Sequence, residues 1–217
     1  MTLRKQEDNH IMAPKFILAS GSPRRRELLM MLGMEFEVIV SDCDETVEGE
    51  ISPHELVCEI AMRKARAVVD AHEFEGDYIV LGSDTVVWDG ERILGKPRDR
   101  EDAKETFLSL SGRENSVFSG IALIGRINGR EHAVSDSVET RVLFGKVSER
   151  DAEFYANSGE PLDKAGSYAV QGLGGFFVDK LYGDYYNVVG LPIARLRTML
   201  EEEFGLEACD YIGKRSY

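Results

Sequence analysis

The chain has 217 residues, of which 43% are hydrophobic and 30% are charged, and its formal net charge is −13 at pH 7. This charge would repel the backbone of a nucleic acid, and no apolar run approaches the roughly 18 residues that a membrane span requires. We therefore predict a protein that binds neither a nucleic acid nor a membrane. The length suits a single folded unit with two lobes, our default over two separate domains.

The two ends of the chain carry little information. Residues 1–13 are polar and lack the apolar segment of a signal peptide, so we predict a loose extension there. One domain over residues 14–205 follows, and residues 206–217 form a tail. The three cysteines, Cys43, Cys58 and Cys209, are far apart and odd in number, which argues against a disulfide framework. A cytoplasmic location is therefore expected.

The first informative stretch joins an apolar run to a basic helix start. Residues 16–19 are apolar enough for a buried strand, and Ser22 followed by proline predicts a helix over residues 23–32. The free N–H groups of the first turn, the hydroxyl of Ser20 and the guanidinium groups of Arg24 and Arg25 would then surround one anion. The alternative is a basic helix start that only faces solvent.

An acidic loop and a long helix come next. Residues 36–40 alternate as a half-buried strand does, and they end in an acidic cluster that includes Glu45. Its carboxylates suit a divalent cation, although a solvated loop is the alternative. The capping-box pattern of residues 52–55 predicts an amphipathic helix to about His72. Lys64 lies in its second half, where a plain surface lysine is the alternative.

An aspartate interrupts the most apolar stretch of the chain, residues 78–88, which we predict to be a central strand. Asp84 is costly to bury there unless it has a partner such as a metal ion or a lysine. A purely structural aspartate is the alternative. Residues 89–90 predict a turn that brings Lys96 back to the same end of the sheet as a second cation.

Sheet and helix patterns alternate over the rest of the chain, with one glycine-rich exception. The predicted elements are a helix over residues 99–110, a β ribbon over 117–144, a helix over 148–158, strands over 176–181 and 185–189, and a closing helix over 192–204. Residues 163–175 are rich in glycine and poor in charge, and they include Lys164 and Gln171. This segment is typical of a loop shaped to a ligand.

Several common sites are absent from the sequence. It has no P-loop, so a nucleotidyltransferase or a kinase is disfavoured, and its glycines form no dinucleotide fingerprint. The four histidines are far apart and lack the spacing of metal ligands.

Five motifs together resemble the Maf-like nucleotide pyrophosphatases over residues 15–203. The motifs are Leu18-Ala19-Ser20-Gly21-Ser22-Pro23-Arg24-Arg25, Leu81-Gly82-Ser83-Asp84-Thr85-Val86-Val87, Gly95-Lys96-Pro97, Asp163-Lys164-Ala165-Gly166, and Gly183-Asp184 with Asn187-Val188-Val189-Gly190-Leu191-Pro192. The resemblance implies a mixed α/β fold shared with the inosine-triphosphate pyrophosphatases: an elongated sheet flanked by helices, with a cleft between two lobes. It also implies hydrolysis of a nucleoside triphosphate to the monophosphate and pyrophosphate with Mg²⁺ or Mn²⁺.

The resemblance assigns roles to particular residues. Asp84 matches the essential carboxylate of the family, the acidic loop around Asp44 and Glu45 matches its metal-associated loop, and both lysines of its catalytic set are present. The catalytic set is Asp84, Lys64 and Lys96, the metal ligands are Glu45 and Asp84, and the substrate-binding set is Ser20, Arg24, Arg25, Lys164 and Gln171. The branch acting on dTTP and UTP fits better than the 7-methyl-GTP branch, which usually has Trp in place of Arg24 and Glu in place of Gln171.

The chemistry of these side chains agrees with that assignment. A triphosphate carries about four negative charges, which the cations and a divalent metal ion would neutralise while Asp84 assists attack of water on the α-phosphorus. The amide of Gln171 matches the N3–H and O4 groups of uracil or thymine. We predict a house-cleaning hydrolase of pyrimidine nucleotides. The alternative is a nucleotide-sensing regulator of cell division with weak or no hydrolysis, and a homodimer stays open.

Overall fold

The computed structural model describes residues 14–213, which form a mixed sheet flanked by helices. The seven strands in this part of the chain are β1 (Lys15–Leu18), β2 (Glu37–Val38), β3 (Tyr78–Trp88), β4 (Ile93–Leu94), β5 (Glu114–Ile127), β6 (Arg130–Phe144) and β7 (Val178–Tyr182). The helices are α1 (Pro23–Met31), α2 (Pro53–Ala71), α3 (Arg100–Ser109), α4 (Glu149–Asn157), α5 (Tyr185–Val189), α6 (Ile193–Phe204) and α7 (Ala208–Tyr211). Three short 3₁₀ helices span Glu160–Asp163, Ala165–Ser167 and Leu173–Phe177.

The sheet has the strand order β2-β1-β3-β5-β6-β7, with β4 paired to β3. β1 runs parallel to both β2 and β3, whereas β3, β5, β6 and β7 form an antiparallel series. The long β5–β6 ribbon turns at Asn128 and Gly129, both with positive φ, as the sequence predicted. The mixed α/β sheet is confirmed.

One edge of β3 is only partly paired, and this gap is central to the molecule. β1 pairs with residues 78–81 of β3, and β4 pairs with residues 87–88. Within residues 14–213, no strand pairs with residues 82–86 on that side. Asp84 lies in the middle of this open segment, and on its other side it pairs with Gly120 of β5. The open edge leaves room beside Asp84 for side chains from other elements.

Helix α2 covers the sheet beside that gap. Its predicted capping box is present: Ser52 accepts a hydrogen bond from the backbone N–H of Glu55, whose side chain accepts one from Ser52 in return. Two glycines let the helix approach closely. A Cβ at Gly82 would lie 2.0 Å from the carbonyl oxygen of Ala61, so the contact between α2 and β3 requires glycine there. Gly120 of β5 makes the same kind of contact.

Of the four hydrophobic cores among the described residues, two lie at different ends of β3. One packs Leu81 against Leu29 of α1 and Leu200 of α6, and the other packs Val87 against Phe107 of α3. A cavity bordered by side chains of both cores separates them. The predicted two lobes with a central cleft are therefore confirmed: the first lobe contains the core around Leu81, and the second lobe contains the core around Val87.

One predicted element is wrong: residues 185–189 form helix α5 rather than a strand. The carboxylate of Asp184 accepts a hydrogen bond from the backbone N–H of Tyr186 at 2.8 Å and caps this short helix. Asn187 is buried and donates to the carbonyl oxygen of Val117 at 2.9 Å. These specific contacts outweigh the strand preference of a segment rich in tyrosine and valine.

Other differences concern boundaries. The strand predicted over residues 36–40 shortens to Glu37–Val38, and the strand predicted from residue 176 begins at Val178. Ser22 precedes α1 but makes no side-chain cap. The predicted tail contains α7, while residues 1–13, predicted to be a loose extension, lie outside the described residues. None of the helices described for this chain has both the length and the apolar character of a membrane span.

Candidate active site

The cleft between the lobes is a cavity of about 550 Å³. It lies beside the open segment of β3, between the start of α1 and the glycine-rich residues 163–171. All nine site residues predicted from the sequence line it, namely Ser20, Arg24, Arg25, Glu45, Lys64, Asp84, Lys96, Lys164 and Gln171. Asp44 does not line the cavity, and its carboxylate instead accepts a hydrogen bond from the backbone N–H of Thr46.

Lys64 is the centre of a charged cluster on one side of the cleft. Its ammonium nitrogen lies 2.8 Å from Oδ1 of Asp84 and 3.0 Å from Oε1 of Glu45. Lys64 is buried, so the surface-lysine alternative is wrong. The arrangement follows from two elements that the sequence predicts well: α2 carries the lysine onto the face of β3 from which Asp84 projects. The two carboxylates therefore hold the ammonium group of Lys64 in place through charge-assisted contacts.

Arg25 projects into the wall of the cleft rather than into solvent. Its guanidinium group donates hydrogen bonds to the carbonyl oxygen of Gly190 at 2.9 Å, to Oγ of Ser20 at 3.0 Å and to Oγ1 of Thr85 at 3.1 Å. Burial lowers the pKa of Arg25, and the charge of Asp84 opposes that shift. Three of its five N–H groups are thus occupied within the protein. Its phosphate-binding role stays a prediction.

An ion pair crosses the cleft between Arg24 of α1 and Asp163 of the second lobe. Nη1 of Arg24 lies 2.9 Å from Oδ2 of Asp163, and Lys164 contacts the other carboxylate oxygen. Burial would raise the pKa of Asp163, but hydrogen bonds from Lys164 and Arg24 lower it below its ordinary value. Asp163 belongs to one of the five motifs, but no role was predicted for it. Its place next to Lys164 in the sequence was the available signal.

Gln171 lies exposed in the glycine-rich segment at the opening of the cleft. Lys164, seven residues earlier, donates a hydrogen bond to the backbone carbonyl oxygen of Glu160 at 3.1 Å. The two predicted base-side residues therefore belong to one continuous segment that the structure brings to the same cavity. Glu160 and Tyr155, which contact this segment, were not singled out by the sequence.

The carboxylates of the cleft suit a divalent cation that arrives with a phosphate ligand. Across residues 14–213, no group of three or more His, Cys, Asp or Glu side chains is arranged to hold a metal ion. Asp84 and Glu45, on either side of Lys64, are two oxygen donors. Mg²⁺ commonly takes one or two carboxylates and completes its coordination with water and substrate phosphates, so this donor set fits it.

Comparisons with known proteins agree with the motifs of the sequence. A family model described as Maf-like protein matches residues 15–203. The chain is 48% identical over 188 residues to the dTTP/UTP pyrophosphatase of Bacillus cytotoxicus, covering 87% of this chain and 95% of that protein. It is 45% identical over 200 residues to the dTTP/UTP pyrophosphatase of a Bacillus cereus strain, covering 92% and 94%.

Solved structures are more distant. The structure of the Staphylococcus aureus Ham1 protein matches 87% of this chain and 99% of that chain, with 20% identity and a TM-score of 0.43. This similarity is too low to carry functional information. The family match extends over both lobes and over every residue that lines the cleft. The chain belongs to the family of Maf-like proteins.

Proposed function

We propose that this chain hydrolyses dTTP and UTP to the nucleoside monophosphate and pyrophosphate, and so removes such nucleotides from the cellular pool. The observation that carries the proposal is the buried Lys64 held between Asp84 and Glu45 in a cleft lined with further cations. Relatives that share nearly half of its residues over most of their length are named dTTP/UTP pyrophosphatases.

The charge of the cleft is opposite to that of the whole chain. The net charge is −13, yet five cationic side chains line this one cavity, namely Arg24, Arg25, Lys64, Lys96 and Lys164. A triphosphate brings about four negative charges, and it needs such groups in place before it binds. We assign Arg24, Arg25 and Ser20 to the phosphates, and Lys96 to the charge that develops on the leaving pyrophosphate.

Asp84 is the residue that we assign to the attacking water. Among residues 14–213, Lys64 is the hydrogen-bond partner of Oδ1, which leaves Oδ2 to accept the proton as water attacks the α-phosphorus. Lys64 orients the carboxylate of Asp84 for this step through its hydrogen bond at 2.8 Å. When bound by Asp84 and Glu45, a divalent cation, Mg²⁺ or Mn²⁺, would supply positive charge against the phosphate oxygens.

Gln171 and Lys164 are our choice for recognition of the base. The side-chain amide of Gln171 offers one donor and one acceptor, which pair with O4 and N3–H of uracil or thymine. Cytosine reverses both groups, and a purine leaves the amide unpaired at a cost of about 1–3 kcal/mol, or roughly ten- to over a hundredfold in specificity.

The alternative, a nucleotide-sensing regulator of cell division with weak or no hydrolysis, is disfavoured. Lys64, Asp84 and Lys96 all line the cavity, and a protein that only binds nucleotides has no need for an aspartate oriented by a lysine in such a cleft. We also infer a cytoplasmic site of action, since Cys43, Cys58 and Cys209 are all free thiols.

A panel of nucleoside triphosphates assayed with Mg²⁺ or Mn²⁺ tests the proposal directly. We expect pyrophosphate release from UTP and dTTP in preference to ATP, GTP and CTP. Gln171→Ala should reduce this preference more than it reduces the best rate. Equal cleavage of purines would contradict the role of Gln171, and release of orthophosphate would contradict attack at the α-phosphorus.

A further inference from the structure

The phenol of Tyr155 and the carboxylate of Glu160 bind the backbone on either side of Gln171. The hydroxyl of Tyr155 accepts a hydrogen bond from the backbone N–H of Ala169 at 3.1 Å, and it donates to Oε1 of Glu160 at 2.9 Å. Glu160 in turn accepts from the backbone N–H of Leu173 at 2.9 Å and of Gly174 at 3.1 Å. Gln171 lies midway between these two attachments.

The glycines of the segment are explained by the same pair. A Cβ at Gly172 would lie 2.2 Å from Oε2 of Glu160, and a Cβ at Gly174 would lie 2.7 Å from the hydroxyl of Tyr155. Neither position has room for a side chain while the backbone wraps the carboxylate. The glycine-rich composition therefore serves a close approach to Glu160 and Tyr155, in addition to any contact with a ligand.

Contacts within the protein hold both members of the pair and shift the pKa of each. Burial would raise the pKa of Glu160, but the N–H groups of Gly174 and Leu173 and the hydroxyl of Tyr155 lower it overall, so the carboxylate is ionised at neutral pH. Burial and the neighbouring Glu160 raise the pKa of Tyr155, which stays a hydrogen-bond donor. The ring of Tyr155 packs against Phe107 with centroids 4.5 Å apart, which fixes the hydroxyl in the core of the second lobe.

The backbone of Glu160 also holds the other base-side residue, because its carbonyl oxygen accepts the hydrogen bond from Lys164. We propose that Glu160, with Tyr155, is the positioning residue that sets pyrimidine selectivity by fixing Gln171 and Lys164 relative to each other. This inference rests on the proposed function and names the origin of its selectivity. Neither side chain lines the cleft, so both act through the segment rather than by touching the substrate.

Glu160→Gln is the direct test, since the amide nitrogen that replaces one oxygen cannot accept a backbone N–H. We expect the ratio of kcat/KM for UTP over ATP to fall by about tenfold or more, mainly through a higher KM for UTP. Tyr155→Phe keeps the packed ring and should shift the ratio in the same direction. Amide hydrogen exchange should become faster at Ala169, Leu173 and Gly174. Glu153→Gln on the exposed side of α4 is the matched control and should change neither readout.

A combined variant separates positioning from general damage. In a Gln171→Ala background, Glu160→Gln should lower the selectivity ratio no further, because the side chain that the carboxylate positions is gone and the backbone carbonyl that binds Lys164 is unchanged. An unchanged ratio in Glu160→Gln despite faster exchange of the loop amides would overturn the inference, as would an equal loss of kcat/KM on every nucleotide. If the parent protein released no pyrophosphate, the proposed function would fail instead. The affinity ratio for non-hydrolysable UTP and ATP analogues would then decide the positioning role.

Discussion

Replacing Arg25 with methionine separates a structural role of this arginine from a role in binding phosphate. The side chain is buried, and its three hydrogen bonds reach Gly190, Ser20 and Thr85 from three different parts of the cleft wall. Methionine fills much of the same volume but offers no donor. The substitution therefore removes the bonds while leaving most of the packing in place.

The expected loss of stability depends on whether the three acceptors keep a hydrogen bond in the variant. Each acceptor keeps another hydrogen-bond partner. The hydroxyl of Ser20 keeps the N–H of Ser22, and the hydroxyl of Thr85 keeps the hydroxyl of Ser119. The carbonyl oxygen of Gly190 keeps the hydroxyl of Ser83. No acceptor is left unsatisfied, so the cost of an orphaned group does not apply. A bond from a charged donor contributes about 1.5–3 kcal/mol, but methionine also removes the desolvation cost of the buried guanidinium group, so we take about 1 kcal/mol net per bond. We expect a loss of about 3 kcal/mol in the free energy of unfolding, or a fall in Tm of about 6–12 °C.

Urea unfolding of Arg25→Met beside Arg26→Met provides the measurement. The control removes the same charge from the next residue, which is exposed, and it should stay within about 0.5 kcal/mol of the parent. If the two variants unfold at the same urea concentration, the hydrogen bonds of Arg25 contribute nothing and our argument is refuted. Triphosphate affinity measured well below both midpoints then reports the binding role alone.

Three further outcomes are expected. Asp84→Asn should lower turnover of UTP by about 10²–10⁴-fold while nucleotide binding persists, since it removes the proton acceptor; turnover within tenfold of the parent would exclude that role. Gly82→Ala should destabilise the protein by about 3 kcal/mol or more, because its Cβ would lie 2.0 Å from the carbonyl oxygen of Ala61, whereas Gly95→Ala, with open space around it, should not. Glu160→Gln should lower the free energy of unfolding most above pH 4.5, the ordinary pKa of a glutamate. Because the folded-state pKa is lower, this contribution is lost as the pH falls through it, so the difference from the parent should shrink on acidification; a difference constant from pH 7 to 3 would contradict this.

Elements with a strong local signal could be predicted from the sequence. The capping box at Ser52 and Glu55 marked the start of α2, and the apolar run of β3 marked the central strand. Helix α5 was not predicted, because its sequence favours a strand; the cap by Asp184 is local, but the contacts of the buried Asn187 are not. Those contacts join residues 47 and 70 positions apart, and no local pattern contains them.

The residues of the candidate site also differ in whether a local sequence pattern could identify them. The apolar strand around Asp84 predicted a partner such as a metal ion or a lysine, and the family resemblance put Lys64 in the same catalytic set; the structure places the two side chains 2.8 Å apart. The contacts of Glu160 and Tyr155 were not predicted. In the sequence these two residues resemble an ordinary helix side chain and a core aromatic, and only the three-dimensional path of residues 169–174 brings backbone N–H groups to them.

The ion pair between Arg24 and Asp163 affects how the protein should respond to ionic strength. A triphosphate that binds Arg24 must displace a carboxylate that is already there, and the side chain of Asp163 is 60% exposed, so dissolved salt screens this internal pair as well. Salt therefore weakens both the attraction of Arg24 to Asp163 and its attraction to the triphosphate. The dependence of affinity on salt concentration should then be shallower than the five cations of the cleft suggest, and removal of the charge at position 163 should steepen it.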